Sequence, residues 1–420
     1  MSESFWRDEA YTYIMSRQSL LHILTSTAKD FNPPLYYIII HFWMKIFGHG
    51  EVALRSFSLL CLVGTVLFSV LILEQFGKMK SKWIYIYAIL MTFNPVVLYY
   101  SFEARMYALL ALMTTVSWYF FLKKSHKWYI ISSILALYTH YFFVLALISQ
   151  YLVAFLWNKK ETWRQHMVNA FAIGVAFLPW FIMSSQALLT KSTSFWIPYV
   201  TKSDVFNSFG LWFTGYEKVW EYYDPYLRTI SGILLAIVLF LFISQRKFIK
   251  KNYLAKVLIM WAFIPFIFTF LVSFFKPLYV PRYIIFSNVG FMILIIYLIH
   301  NLPIVKRIIM ILCLLLVIKH FTVYEVKYRV KGDIRKLISP VEKIIDKNHI
   351  LVLTDPSMYF TIKYYYPEIT PYIYREKKST PLYFGLNLIP KSAFIMNLPI
   401  YPKKALLLDS SGEVNAISVY

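Results

Sequence analysis

The chain has 420 residues, of which 59% are hydrophobic, 20% are aromatic and only 15% are charged. Soluble domains carry about 25% charged residues, so this composition excludes a soluble globular protein and indicates a polytopic membrane protein. The formal net charge of +22 does not predict a nucleic-acid partner, because the basic residues cluster in short segments between apolar runs. That distribution is typical of cytoplasmic loops, which contact anionic membrane lipids.

The first predicted element is an interfacial helix that follows a polar and aromatic segment. Residues 1–33 contain no apolar run long enough for a signal peptide or a membrane span. Asn32, as N-cap, and two prolines then begin a helix that Gly48 ends. A helix of about 14 residues is roughly 21 Å long, which is shorter than the ~30 Å hydrocarbon core. We therefore expect it to lie in the membrane interface.

Ten apolar runs predict transmembrane helices. They lie at about 52–75, 83–99, 105–122, 128–140, 142–157, 167–185, 226–245, 254–275, 282–300 and 305–321. The run between Trp128 and Trp157 is interpreted as two short helices that turn near His140. Only this arrangement places the basic clusters at Lys123 and Lys159 on the same side of the membrane. Both chain termini then lie on the outer side.

The last part of the chain predicts a small α/β domain. A helical pattern runs from Gly332 to about Lys347, and a buried strand is predicted at 349–355, with further strands near 370–374, 393–397 and 404–419. The predicted organisation has three parts: an outer loop with the interfacial helix at 1–51, a transmembrane bundle at 52–321, and an extracytoplasmic domain at 322–420.

Acidic side chains near the predicted outer surface are the candidate catalytic groups. Asp8 and Glu9 follow Arg7, and a carboxylate held there can act as the general base that takes the proton from an acceptor hydroxyl. Arg7 would favour the ionised form of that carboxylate. The alternative is a solvated acidic pair. Asp30 precedes the predicted interfacial helix, where it either lines a site at headgroup depth or only interacts with the helix dipole.

Other predicted outer turns carry candidate binding groups. Glu103 and Arg105 lie at a membrane boundary, where charges are costly unless they are used or paired. The guanidinium of Arg105 matches phosphate oxygens, and an interhelical ion pair is the alternative. His140 is a candidate for binding phosphate, a sugar hydroxyl or a metal, or else is a structural histidine. Lys276 and Arg282 suit an anionic headgroup, or they extend to the interface from a helix end.

Trp196 is a candidate platform for a sugar ring, with an aromatic-belt residue as the alternative. The sequence has no Gly-rich phosphate loop, no Cys/His metal spacing and no Ser-His-Asp pattern. It therefore predicts no metal ligands and no nucleotide-sugar site. A divalent cation, magnesium or manganese, stays open as a cofactor.

The order of these motifs resembles that in the bacterial members of the dolichyl-phosphate-mannose protein mannosyltransferase superfamily. These are the GT-C membrane glycosyltransferases, which include Rgt-type and aminoarabinose-transferase-like enzymes. The resemblance covers roughly residues 5–300 and rests on Arg7-Asp8-Glu9-Ala10, Asn32 to Arg55, Glu103 to Tyr107, Thr139-His140-Tyr141 and Pro281-Arg282-Tyr283. It implies a GT-C-type bundle of about ten transmembrane helices with an outer interfacial helix and the small C-terminal α/β domain.

The resemblance also implies a reaction. It is the transfer of a sugar, a mannose-like hexose or a related one, from a polyprenyl-phosphate donor to an acceptor hydroxyl on a glycolipid, protein or cell-wall polymer at the outer face of the cell membrane. Asp8 would be the general base, while Glu9 and Asp30 would shape the catalytic site. The residues that would bind substrate are Glu103, Arg105, His140, Trp196, Lys276, Arg282 and Tyr283.

Two other function classes stay open. A transporter or flippase of lipid-linked sugars would place charges near the bilayer midplane, whereas the mid-span positions here are nearly free of charge. An N-terminally truncated, inactive paralogue is the other class. Members of the family usually have a transmembrane helix before the Asp-Glu segment, and Met1 lies only seven residues ahead of Asp8.

Overall fold

A computed structural model of the chain describes residues 3–30, 32–79, 83–158, 162–190, 197–215, 226–328, 333–375, 380–381, 385–409 and 412–419. Within these ranges the chain forms 18 α-helices and one five-stranded sheet. The residues group into two compact units. The first comprises Met1–Arg55, Trp180–Trp196 and Lys331–Tyr420, and the second comprises Ser56–Pro179 and Ile197–Val330.

The N-terminal part of the first unit contains three helices where the sequence predicts one. They are α1 (Arg7–Ser16), α2 (Leu20–Ala28) and α3 (Leu35–Phe47). Helix α3 is the predicted interfacial helix; its N-cap is Pro34 rather than Asn32, and it ends at Gly48, where φ is +88°. Residues 1–51 are thus more helical than the predicted loop, and the Asp8-Glu9 pair lies in the first turn of α1.

Each apolar run that predicts a span forms a helix. In chain order the helices are α4 (Glu51–Gln75), α5 (Trp83–Thr92), α6 (Pro95–Ser101), α7 (Tyr107–Leu122), α8 (His126–Thr139), α9 (Phe143–Trp157), α10 (Trp163–Thr190), α11 (Lys202–Thr214), α12 (Leu227–Ser244), α13 (Arg246–Lys251), α14 (Tyr253–Val272), α15 (Ile285–His300) and α16 (Ile304–Tyr328). Helices α8 and α9 turn at His140, as predicted. Helices α11 and α13 are not predicted by the sequence analysis.

Fewer helices than the ten predicted spans could cross a membrane by length and composition. Among the described residues five do so: α4, α10, α12, α14, and α15 with the 3₁₀ turn Pro281–Ile284 before it. Helices α7 and α9 are apolar but shorter. The run predicted at 83–99 is broken into α5 and α6, which are bent by 61° and would make a sixth span. The break follows from Pro95, which lacks an N–H, and from Asn94, whose side chain caps α6.

Helix α15 forms the core of the second unit. Every residue from Ile285 to Ile299 is buried, which matches a helix that is apolar on all sides. At Gly290 a Cβ atom would lie 2.7 Å from the indole ring of Trp261, so glycine permits the close approach of α14 to α15. Trp261 in turn stacks on Trp118 of α7, with ring centroids 5.2 Å apart. Helices α7, α14 and α15 therefore pack through large, interlocking rings.

The C-terminal part of the first unit is a small α/β domain, as predicted. Its elements are α17 (Ile334–Ile344), β1 (His349–Leu353), α18 (Tyr359–Tyr365), β2 (Pro371–Tyr374), β3 (Phe394–Ile395), β4 (Lys404–Leu408) and β5 (Val414–Ile417). The strand order is β3-β2-β1-β4-β5, and all neighbours are parallel except the antiparallel pair β4–β5. The core strand β1 ends in three buried residues, which accounts for the apolar run in the sequence.

The first unit joins this domain to the N-terminal helices, a grouping that the sequence does not predict. The hydroxyl of Tyr365 accepts a hydrogen bond from the backbone N–H of Phe5 and donates one to Glu51, both at 2.6 Å. The backbone N–H of Ile334 donates to the hydroxyl of Ser4 at 3.1 Å. These bonds tie α17 and α18 to the segment that begins α1. The C-terminal domain therefore helps to hold the helix that carries the candidate acids.

Candidate active site

Glu9 is held by an arginine that the sequence analysis does not assign to the site. Arg55 donates from Nε to one carboxylate oxygen of Glu9 at 2.8 Å and from Nη2 to the other at 2.7 Å. Its Nη1 also donates to the carbonyl of Glu3 at 2.7 Å. Glu9 is 0% exposed, and a buried bidentate pair of this kind fixes geometry strongly. The pair therefore fixes the first turn of α1, and the Glu9 carboxylate is enclosed by the protein.

Asp8, the neighbour of Glu9, has a different environment. Its side chain is 15% exposed, and the Nε of Arg7 lies 3.0 Å from its Oδ1. The carboxylate lies in the first turn of α1, where the helix dipole favours negative charge. Of the two acids, Asp8 is the one whose oxygens can reach solvent. This contrast supports Asp8, and not Glu9, as the group available to a substrate.

Asp30 is buried and accepts a hydrogen bond of 2.6 Å from the hydroxyl of Tyr11. Tyr11 lies one helical turn after Asp8 on α1, and its ring packs edge-on against Tyr37 of α3 and Phe360 of α18. Through Tyr11, the three elements α1, α3 and α18 meet beside Asp30. The structure thus brings Asp30 to the same helix that carries Asp8, within the first unit.

In the second unit two arginines converge on one aromatic ring. The Cζ atoms of Arg105 and Arg282 lie 5.8 and 5.5 Å from the centroid of the Tyr107 ring. Tyr283 lies 6.1 Å from Tyr107 in a stacked arrangement, and the ring of His140 lies 5.0 Å from Tyr283. We call these five residues the arginine cluster. Both guanidinium groups and the imidazole are buried.

His140 is a neutral hydrogen-bond donor in this cluster. Burial, together with the positive charges of Arg105 and Arg282, lowers the pKa of His140 to about 3. The backbone N–H of Phe142 donates to its Nδ1 at 3.2 Å, and an acceptor nitrogen carries no proton in a neutral ring. The proton therefore resides on Nε2. The cluster offers this N–H together with two guanidinium forks.

Local chain geometry gathers these groups from three separate turns. Arg105 lies between α6 and α7, where its backbone N–H donates to the carbonyl of Glu103 at 2.8 Å. That same carbonyl accepts from Ser58 of α4 at 2.6 Å, so the turn is held from two sides. His140 lies in the turn before α9, and Arg282 lies in the 3₁₀ turn before α15. Helices α7, α9 and α15 all begin beside the cluster, and their N-terminal dipoles add positive potential.

The remaining predicted residues are placed as follows. Glu103 is buried beside the cluster turn, and Tyr283 belongs to the cluster. Lys276 is exposed beyond the end of α14, and it takes no part in the ring contacts that define the cluster. Trp196 lies outside the described residues. The described residues contain no group of three or more His, Cys, Asp or Glu side chains that could hold a metal ion.

The sequence analysis does not assign Arg55, Tyr11 and Tyr107 to the site. Arg55 is a charged residue within the apolar helix α4, and a charge in such a run is itself a signal of function or pairing. Tyr11 and Tyr107 give no comparable signal, because tyrosine is abundant in this chain, with 34 copies. Only the three-dimensional arrangement shows that Tyr11 bonds to Asp30 and that Tyr107 lies beside both Arg105 and Arg282.

Two solved structures of one protein are similar to this chain. The crystal structure of ArnT from Cupriavidus metallidurans in the apo state matches with a TM-score of 0.66 and 13% sequence identity, covering 97% of this chain and 88% of that chain. The crystal structure of the same protein bound to undecaprenyl phosphate matches with a TM-score of 0.62 and 12% identity, covering 97% and 89%. No protein-family model matches the sequence, and the comparison with curated proteins gives no match.

At this sequence identity the likeness shows the fold. ArnT has the GT-C fold, and the match extends over 97% of this chain. The apolar helices agree with a multi-pass membrane protein. The chain is therefore a polytopic membrane protein with the GT-C fold, similar in structure to ArnT.

Proposed function

We propose that this chain is a glycosyltransferase that moves a sugar from a polyprenyl-phosphate donor to an acceptor hydroxyl. The observation that carries the proposal is the arginine cluster, in which two buried guanidinium groups and a neutral imidazole N–H converge. Planar guanidinium forks match the oxygens of a phosphate. The GT-C fold supports the same conclusion, because a protein of that fold is described with undecaprenyl phosphate bound.

The cluster suits the departure of a lipid phosphate. When the bond between the sugar C1 and the phosphate oxygen breaks, negative charge grows on that oxygen. Buried, preorganised donors stabilise such charge more than water does, because they need no reorganisation. The guanidinium groups of Arg105 and Arg282 would take this charge, and the Nε2–H of His140 would donate to the same group. The dipoles of α7, α9 and α15 add to the effect.

Asp8 would serve as the general base. As the acceptor oxygen bonds to the sugar C1, its proton passes to the carboxylate of Asp8. This displacement needs no covalent intermediate on the protein. The Glu9–Arg55 pair would position the helix turn that carries Asp8, and the bond from Tyr11 would hold Asp30 as part of the site wall. Glu103, Trp196, Lys276 and Tyr283 stay proposed substrate-binding residues.

The proposed reaction takes place at the extracytoplasmic surface of the cell membrane. The concentration of lysine and arginine in the loops between apolar helices supports this orientation. The transferred sugar is proposed to be a hexose of the mannose type or a related sugar, including an amino sugar as in the ArnT reaction. The acceptor is a glycolipid, a protein or a cell-wall polymer.

The phosphate role is tested by measuring undecaprenyl phosphate binding to purified protein in nanodiscs. Each of Arg105→Gln and Arg282→Gln removes a charge-assisted contact worth about 1.5–3 kcal/mol, so we expect each to weaken binding about tenfold to a hundredfold. Arg246→Gln is the matched control, since it removes the same charge from an exposed position outside the proposed site, where screening makes charges worth little. Equal losses in all three variants would show a non-specific charge effect and contradict the cluster's role.

A further inference from the structure

A cavity lies at the other end of helices that carry residues of the arginine cluster. It has a volume of about 850 Å³ and is lined by the last residues of α7 and the first residue of α8, whereas the cluster lies at the start of α7 and the end of α8. Helix α7 has 16 residues, so at about 1.5 Å per residue roughly 24 Å separates the two sites. The cavity is therefore distinct from the proposed catalytic site.

The described part of the lining of this cavity is basic. Lys78, Lys124, His126 and His166 line it, and none of the described residues that line it is acidic. Lys78 and Lys124 both have φ of +55°, a conformation that lysine adopts only at a cost. A basic pocket of a few hundred cubic ångströms between membrane helices is the kind of site that holds an anionic headgroup.

His166 supplies a buried donor that the protein does not satisfy. The hydroxyl of Tyr253 donates to the side-chain oxygen of Asn158, and the amide nitrogen of Asn158 donates to Nε2 of His166, both at 3.0 Å. In this arrangement the proton of neutral His166 resides on Nδ1. The side chain is only 8% exposed, and its Nδ1 has no hydrogen-bond partner among the described residues. A buried N–H without a partner is costly, and the residue that carries it is part of the cavity lining.

His126, which also lines the cavity, is oriented by an asparagine amide as well. Gln165 donates to the side-chain oxygen of Asn169 at 3.0 Å, and the amide of Asn169 donates to Nδ1 of His126 at 3.1 Å. The proton of neutral His126 then resides on Nε2. Both histidines thus act as donors, and the two lysines are donors only. A ligand for this set must supply several acceptor oxygens and negative charge.

Aromatic rings complete the cavity beside these donors. Trp157 and Tyr129 line it, and Lys256 lies over the Trp157 ring at 5.6 Å from its centroid. Rings of this kind pack against glycerol or the upper part of an acyl chain at a membrane interface. We propose that this cavity binds a phosphate ester, carried by the headgroup of an acidic phospholipid at the membrane face opposite the arginine cluster.

The experiment measures phosphatidylglycerol binding to the purified full chain by native mass spectrometry, with phosphatidylcholine as the zwitterionic comparison. The test variant is Lys78→Asn/Lys124→Asn, because asparagine tolerates positive φ and should leave the turns folded. The matched control is Lys247→Asn/Lys306→Asn, which removes two charges from exposed positions. We expect the test variant to bind phosphatidylglycerol about tenfold more weakly and the control to stay within about twofold of the wild type.

A third variant separates the contribution of the His166 N–H donor to binding from that of the net positive charge. His166→Phe keeps a ring against Phe121, whose centroid lies 5.7 Å away, but removes the N–H, and we expect it also to weaken phosphatidylglycerol binding. Soluble glycerol phosphate distinguishes the sources of the ligand. If it binds with the same dependence on Lys78 and Lys124, the proposal holds with a water-soluble phosphate ester. Equal phosphatidylglycerol affinity in test and control variants, or equal binding of phosphatidylcholine by the wild type, would overturn the proposal.

Discussion

The buried imidazole of His140 makes the stability of this protein depend on pH in a defined direction. In the folded state burial and the charges of Arg105 and Arg282 lower the pKa of His140 to about 3, from 6.5 for an ordinary histidine. An unfolded chain takes up a proton below pH 6.5, whereas the folded protein does not until the pH nears 3. The free energy of unfolding is therefore unaffected above pH 6.5 and falls as the pH falls towards 3.

The size of this effect follows from the two pKa values. At a pH of about 5, the unfolded state gains about 2 kcal/mol from protonation of this one side chain. We expect His140→Asn to remove that part of the pH dependence, because the asparagine oxygen can still accept from the N–H of Phe142 but takes up no proton. At neutral pH the variant will be less stable than the wild type, since it leaves space in the core, and this difference will shrink as the pH falls. The readout is how steeply the free energy of unfolding changes with pH, and not its absolute value.

The assay is denaturant unfolding in detergent, followed by tryptophan fluorescence, between pH 7 and about 5. His22→Asn is the control, because it removes an exposed histidine and should leave the wild-type slope intact. If wild type and His140→Asn lose stability in parallel as the pH falls, His140 is not held neutral in the folded protein. The proposed neutral donor in the arginine cluster would then be wrong.

Three further substitutions test the packing that positions the site, each by denaturant unfolding. Arg55→Met leaves the fully buried Glu9 without its ion-pair partner and should cost about 3–5 kcal/mol; adding Glu9→Gln should recover part of the loss, and no recovery would contradict the pair. Tyr11→Phe removes the 2.6 Å bond to Asp30 and should lower the free energy of unfolding by about 1–3 kcal/mol. An unchanged free energy would show that the bond is absent. Gly290→Ala places a Cβ 2.7 Å from an indole ring and should cost about 1–3 kcal/mol, whereas a neutral result would mean that α14 and α15 separate freely.

Much of the helical architecture is predictable from the sequence, because membrane helices are long apolar runs bounded by charge. The turn at His140 could be predicted because two short helices are needed to place the flanking basic loops on one side of the membrane. The structure confirms it, since α8 ends just before His140 and α9 begins just after it. The break at Asn94-Pro95 was missed, although that dipeptide is a capping signal. Helix α1 was missed for another reason: its apolar residues do not follow one face, so its helicity depends on packing against α3 and α18 rather than on periodicity.

The candidate site could be predicted only in part. Charged residues at the ends of apolar runs identified Arg105, Arg282 and His140 individually, because charge is costly at a membrane boundary. Their convergence on Tyr107 could not be predicted, since it depends on the packing of α7, α9 and α15. The difference between Asp8 and Glu9 also required the structure. Adjacent acids look equivalent in the sequence, and only the partner of each shows which is enclosed.

The most direct test of the proposed transferase is an assay with purified protein in nanodiscs and a panel of radiolabelled polyprenyl-phosphate sugars. We predict that the wild-type chain transfers label from at least one donor to an acceptor fraction. We predict that Asp8→Asn, which keeps the shape of the side chain but removes the base, binds undecaprenyl phosphate normally and transfers no label. Transfer by Asp8→Asn at the wild-type rate, or no transfer from any donor by the wild type, would contradict the account.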